Sequence, residues 1–229
     1  MKTLKVALVA AAATVAMGGA ALAQDDGPSV SFNVGASSDY VFRGVSQTDE
    51  NPQIYGGADV SSGIFYAGVW ASNVDFLDST DAEIDGYVGV KPTAGPVALD
   101  FAAIYYGYVN APSGADYGYW EFKAAGSVPA GPATVGAAVY YSPDFFGGVD
   151  EAVYYEVNGA FPIGEKVSVS AALGHQSLEG PGDYNTWNLG VGYALTDHIG
   201  LDLRYHDTDE HGFGSIYDSR IAVGVKATF

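Results

Sequence analysis

The sequence predicts an all-β protein, a transmembrane antiparallel up-and-down β-barrel of about 12 strands. Three observations carry this. Alternate residues separate by chemistry along many short segments, short turns alternate with long acidic loops, and no apolar run beyond the leader reaches the ~18 residues of a membrane-crossing helix.

The alternation is clearest at the end of the chain. Ile221, Val223, Val225, Ala227 and Phe229 share one phase, and Asp218, Arg220, Lys226 and Thr228 the other. Over Ile199 to His206, the apolar Ile199, Leu201, Leu203 and Tyr205 oppose Asp202, Arg204 and His206. Over 83–91, Ile84, Val88 and Val90 oppose Glu83, Asp85, Tyr87 and Lys91. Over 97–105, Val97, Leu99, Phe101, Ala103 and Tyr105 oppose Asp100, Ile104 and small residues. A period of two places successive side chains on opposite faces of a strand. The polar phase is rich in Gly, Ser, Thr, Asn and Tyr and poor in lysine, which suits a crowded polar interior better than the water-facing side of a soluble sheet.

Extending the pattern gives strands near 29–43, 53–61, 64–73, 83–91, 97–108, 117–127, 133–141, 152–161, 166–175, 184–194, 198–206 and 217–229. The segment 64–73 is the least regular, because Tyr66 and Trp70 share a phase opposed by Ala67, Val69 and Ala71. The short connections are "SSG", "PTAGP", "SVPAGP", "PIGE" and "LTD"; the others are longer and acidic, such as "GVSQTDENP" and "DTDEHGFGSI". Short periplasmic turns and long extracellular loops are the order of an outer-membrane barrel. Closure pairs the first strand with the last, because an unpaired backbone edge in hydrocarbon costs several kcal/mol.

Residues 1–23 have the anatomy of a cleaved signal peptide: Lys2 and Lys5, an apolar run from Val6 to Ala16, and Ala21-Leu22-Ala23. That predicts export through the inner membrane and a barrel over 24–229. Past the leader, seven basic residues face 27 acidic ones. Such a chain repels phosphate backbones, which argues against nucleic acid as a partner. With no cysteine in the sequence, disulfides and thiol chemistry are excluded.

The phase also sorts the candidate site residues. Asp39, Arg43, Asp59, Glu83, Asp85, Lys91, Asp100, Glu121, Lys123, Glu156, Asp202, Arg204, Asp218, Arg220 and Lys226 fall on the inward phase as candidate pore-lining groups. Acids and bases facing one another order water and ions in a constriction, and the same residues paired as ion bridges would plug it. Tyr55, Tyr87, Tyr106 and Tyr154 narrow the lumen further. Tyr40, Phe42, Trp70, Trp120, Phe122, Trp187 and Phe229 are candidates for aromatic girdles at the membrane interfaces. The terminal Phe229 is the kind of ending by which outer-membrane assembly machinery recognises a barrel. Loop acids such as Asp49, Glu50, Asp78, Asp150 and Glu210 read as a solvated outer face, able to share divalent cations with lipopolysaccharide.

No Gly-x-Ser-x-Gly elbow or His-Glu-x-x-His motif occurs, and His175, His198, His206 and His211 fall near strand ends or in loops. An enzyme is therefore not expected, and no cofactor or metal is assigned. "SDYVFRGVSQTDENPQIYGG" at 38–57 and "FYAGVWASNVDF" at 65–76 resemble the opening signature of the TorF-like porins, a proteobacterial outer-membrane family also filed as Gcw_chp. The resemblance implies a β-barrel pore and brings no substrate or catalytic residues. The expected function is passive passage of small hydrophilic solutes or ions, with cations favoured by the acidic mouth. The alternative is a barrel that conducts nothing and serves as a structural or adhesive surface protein.

Overall fold

The computed structural model describes residues 27–229, so the leader 1–23 lies outside the described residues. Twelve antiparallel strands close into a barrel. They are β1 (Ser29–Ser37), β2 (Gln53–Ser62), β3 (Phe65–Asn73), β4 (Ala82–Val90), β5 (Val97–Val109), β6 (Tyr119–Ala130), β7 (Ala133–Ser142), β8 (Ala152–Ile163), β9 (Val167–Leu178), β10 (Tyr184–Ala194), β11 (Ile199–Thr208) and β12 (Arg220–Thr228). Each strand pairs with its chain neighbours, and β1 pairs with β12 in the register Gly35↔Lys226, so no barrel strand is left with a free edge. Short turns join β2–β3, β4–β5, β6–β7, β8–β9 and β10–β11 at one rim, and the longer loops stand at the other.

The apolar phase is on the outside. Phe65, Leu173 and Ile221 are 64%, 62% and 66% exposed, whereas Glu83, Tyr106 and Glu121 from the opposite phase are buried. This is a sheet turned inside out relative to a soluble barrel, with its hydrocarbon face presented to lipid.

Glycines on the inner wall let large side chains lie flat against it. A Cβ on Gly174 of β9 would collide with the Tyr154 ring and hydroxyl from neighbouring β8. Gly174→Val should therefore push Tyr154 off the wall and destabilise the barrel by about 1–3 kcal/mol, read as a lower urea midpoint of the folded, heat-modifiable form.

The first strand corrects the sequence expectation. It ends at Ser37 rather than at 43: Ser37 Oγ donates to the Asp39 carbonyl, and the chain turns into the lumen, where Glu83, Glu121 and Arg220 hold it. Tyr40 and Phe42 are consequently not girdle residues: Tyr40 is buried, and Phe42 packs on a lumen cluster of Tyr87, Ile104, Tyr106 and Tyr119. Trp70 is corrected too. It faces inward with Tyr66 and Ser72, its ring 5.4 Å from Tyr40 and 5.9 Å from Tyr55. Trp120, Phe122 and Phe229 lie on the outer surface, and Trp187 is half-buried in the same outward phase.

Candidate functional site

Residues 38–52 leave the barrel wall and fold across its outer half. Val41–Phe42 pairs with Val45–Ser46 in a two-stranded sheet of its own. The turn between them is Arg43-Gly44 with φ +48° and +85°, the pair of positive values that a tight two-residue hairpin requires. Gly44 is needed there twice over, since a side chain would also run into Thr186 and Thr208 on the wall.

Polar bonds within the segment keep its shape. Asp39 Oδ1 accepts from Ser46 Oγ at 2.7 Å and from Thr48 Oγ1 at 3.0 Å, while Thr48 Oγ1 also takes the Tyr40 amide at 3.1 Å. Arg220 Nη1 of β12 donates to Asp39 Oδ2 at 2.9 Å. On the β4 side, the Tyr40 hydroxyl donates to Glu83 Oε1 at 2.7 Å.

The tip reaches the far wall through Arg43, which is only 4% exposed. Nη1 and Nη2 donate to the two oxygens of Glu121 at 2.8 and 2.9 Å, a two-pronged ion pair, and Nη1 also reaches Gln176 Oε1 at 3.1 Å. The guanidinium lies over the rings of Phe42, Tyr140 and Tyr154 at 4.6, 4.9 and 4.3 Å. Arginine suits this place because its planar fork matches a carboxylate edge while its faces stack on aromatic rings. Tyr106 donates to the same Glu121 at 3.0 Å.

Asp85 is the exception in this packed region. It is fully buried, and neither carboxylate oxygen has a hydrogen-bond partner; Arg43 Nε has none either. Asp85 and Glu83 point inward from β4, and Glu121 from β6, with Tyr106 of β5 in register between Asp85 and Tyr119. One guanidinium thus serves a wall patch holding three carboxyl groups.

Nearer the short-turn rim most of the inward charges have polar partners. Lys123 meets Asp100 at 2.7 Å, and Tyr66 donates to the other Asp100 oxygen at 2.7 Å. Arg204 is held by Asp202 at 3.0 Å, Asn188 at 2.8 Å and Ser170 at 2.9 Å. Asp59 accepts from Tyr87 at 2.6 Å, and Glu156 from Tyr154 at 3.1 Å and Asn158 at 2.9 Å. Lys226 faces inward from β12, half-buried, with no ion pair among the described residues.

Two candidate residues stand at the mouths instead of in the wall. Lys91 follows the end of β4, exposed, with its ammonium 4.5 Å from the Tyr66 ring centre; Asp218 lies in the last outer loop, 4.0 Å from His211. The strand pattern places a residue at a rim poorly, because alternation stops where the strand does. Gln176 escaped the sequence argument for the same reason, since β9 runs to Leu178 rather than to 175. The inward series Ser168, Ser170, Ala172, Gly174 points to it.

His206 and His211, five residues apart in sequence, are separated by the fold. His206 is buried on β11, while His211 sits in the loop and donates to Asp207 Oδ1 at 2.8 Å. That bond, with Asp207 and Asp218 charges nearby, holds His211 above the ordinary histidine value. A raised value means the contact contributes fully below the unfolded pKa of about 6.5 and is lost as pH rises through the folded one. In an NMR titration, the His211 ring should show a higher midpoint in the native protein than in Asp207→Asn.

Residues 22–229 match a family model described as "Bacterial protein of unknown function (Gcw_chp)"; that description carries no TorF name. No curated protein matches the chain by sequence. Among solved structures it is similar to the KdgM porin, with 8% identity, TM-score 0.61, and coverage of 87% of this chain and 99% of that one. It is similar also to the NanC porin, with 10% identity, TM-score 0.57, and coverage of 88% and 99%. An outer-membrane channel from Pseudomonas putida F1 matches with 9% identity, TM-score 0.51, and coverage of 87% and 94%. At such identities the likeness is one of fold, that of an outer-membrane β-barrel.

Proposed function

Because the chain belongs to Gcw_chp, a bacterial family described as of unknown function, its activity has to be argued from its lumen, and we propose that it is an outer-membrane channel for passive passage of small hydrophilic solutes or ions, favouring cations. The observation that carries this reading is the inversion of the barrel: an apolar exterior around a lumen lined by Asp59, Asp100, Lys123, Asp202, Arg204 and Lys226. A polar interior lowers the cost of bringing a hydrated ion across. Cation preference rests on charge. The lumen bases Arg43, Lys123, Arg204 and Arg220 each have an acid at 2.7–3.0 Å, which leaves Asp59, Glu83, Asp85 and Glu156 against Lys226 alone, and the outer loops add more acids.

Trp120, Phe122, Trp187 and Phe229 fit as an interface belt against lipid and lipopolysaccharide, with Phe229 also the end recognised by the assembly machinery. The chemistry invoked is diffusion, not catalysis. A second reading, a barrel that conducts nothing, is favoured by one observation, the hairpin packed across the outer half of the lumen. Reversal potentials of the purified barrel in a planar bilayer under a KCl gradient separate the ideas. A potential of the sign set by K⁺ supports the proposal; one set by Cl⁻ removes the cation preference; a silent bilayer with folded protein supports the second reading.

A further inference from the structure

The segment 38–52 is attached to the wall in an unusual way. Its two short strands bond only to each other, and most of its polar contacts to the barrel come from side chains. Among the described residues, one backbone bond ties its middle to a neighbouring loop, from the Asp75 amide to the Gln47 carbonyl at 2.9 Å. Its two ends are held: Ser38 exchanges bonds with Val223 at 2.9 and 3.0 Å, and Asn73 donates to the Pro52 carbonyl at 3.1 Å. Between those ends the segment carries its own hydrogen bonds, so it can move as a unit without unravelling.

One feature opposes the seated position, the patch of acids behind the hairpin. Asp85, behind the hairpin, is buried with neither oxygen hydrogen-bonded, and Glu83 and Glu121 lie on the same patch of wall. Burying a carboxyl without a partner is costly, and water would relieve it. The hairpin tip is held down by Arg43, through Glu121, Gln176 and three rings, while Tyr40 on Glu83 and Asp39 on Arg220 hold it nearer its root.

We propose that the hairpin 38–52 is a displaceable plug latched by Arg43, and that its departure uncovers Glu83, Asp85 and Glu121 as the cation-selecting side of the open lumen. The wall hydrogen bonds of the barrel are untouched by this motion, so opening and unfolding are separate events. Glu121 then has two states. In the seated form it neutralises the latch, and in the open form it joins two other carboxyl groups within reach of a hydrated cation. The selectivity half of the proposal rests on the channel reading above; the displacement half does not.

The sequence has no cysteine, so Thr186→Cys places one thiol against Gly44 at the hairpin tip. Its reaction with a cationic methanethiosulfonate reagent, in the full-length folded barrel, reports displacement without any current. Adding Arg43→Ala or Glu121→Gln should accelerate labelling, about tenfold for each 1.4 kcal/mol of latch removed. Asp85→Asn should slow it, because the seated form no longer buries an unpartnered carboxyl. Equal rates in all four backgrounds would overturn the plug. In bilayers, Asp85→Asn combined with Arg43→Ala should lower cation over anion permeability relative to Arg43→Ala alone; unchanged selectivity with accelerated labelling would overturn the role of the acids. Accelerated labelling with a silent bilayer would support displacement and reject the channel reading.

Discussion

Arg43→Ala will leave the barrel folded and its lumen unlocked. Removing one partner of a buried ion pair costs about 3–5 kcal/mol, since the other charge stays behind without compensation. Here that partner is Glu121, whose oxygens lie 2.8 and 2.9 Å from the guanidinium. Stacking on Tyr154, Tyr140 and Phe42 is lost as well, a contribution of about 0.5–2 kcal/mol per desolvated contact. The penalty falls on the seated hairpin, because Arg43 takes no part in the strand ladders that hold the barrel. The folded band on a gel should persist while open time in single-channel records rises. Arg43→Lys should give a partial effect, as an ammonium keeps the charge and loses the two-pronged fit.

Leu203→Arg will instead prevent the barrel from forming stably. Leu203 is 52% exposed at the middle of β11 on the lipid face. Arginine at the bilayer midplane of a barrel costs about 2–4 kcal/mol. One residue along, Arg204 is buried without difficulty, facing inward onto Asp202, Asn188 and Ser170. The contrast between adjacent positions is a direct reading of the alternation. Urea-dependent refolding into lipid vesicles measures it: the variant should lose most of its folded fraction, and Leu203→Ile should lose little.

The walls of this protein were legible in its sequence because lipid enforces them. An outward charge is expensive within the hydrocarbon, so Ile199, Leu201, Leu203 and Tyr205 declare their face without help from any distant residue. The same logic exposed the inward acids and bases. The first loop was less legible. Tyr40 and Phe42 continue the alternation of β1, and nothing local distinguishes a strand that goes on from one that turns into the lumen. What turns it is long-range: Glu83, Glu121 and Arg220 sit 43, 78 and 181 residues from their partners Tyr40, Arg43 and Asp39. Trp70 misled for a related reason, since an aromatic near a rim suits a girdle and a packed lumen equally well, and only contact with Tyr40 and Tyr55 decides. The Arg43-Gly44 dipeptide did carry a turn signal. Placing that turn inside the barrel required the acids on the far wall.

Single-channel recording of the native protein and of Arg43→Ala side by side, from preparations shown to be folded, tests the central claim most directly. A polar lumen closed by a latched hairpin predicts discrete, salt-dependent steps from both, with the variant open for a larger share of the time and its current carried mainly by cations. Silence from both folded proteins would contradict the channel, and identical records from the two would contradict the latch.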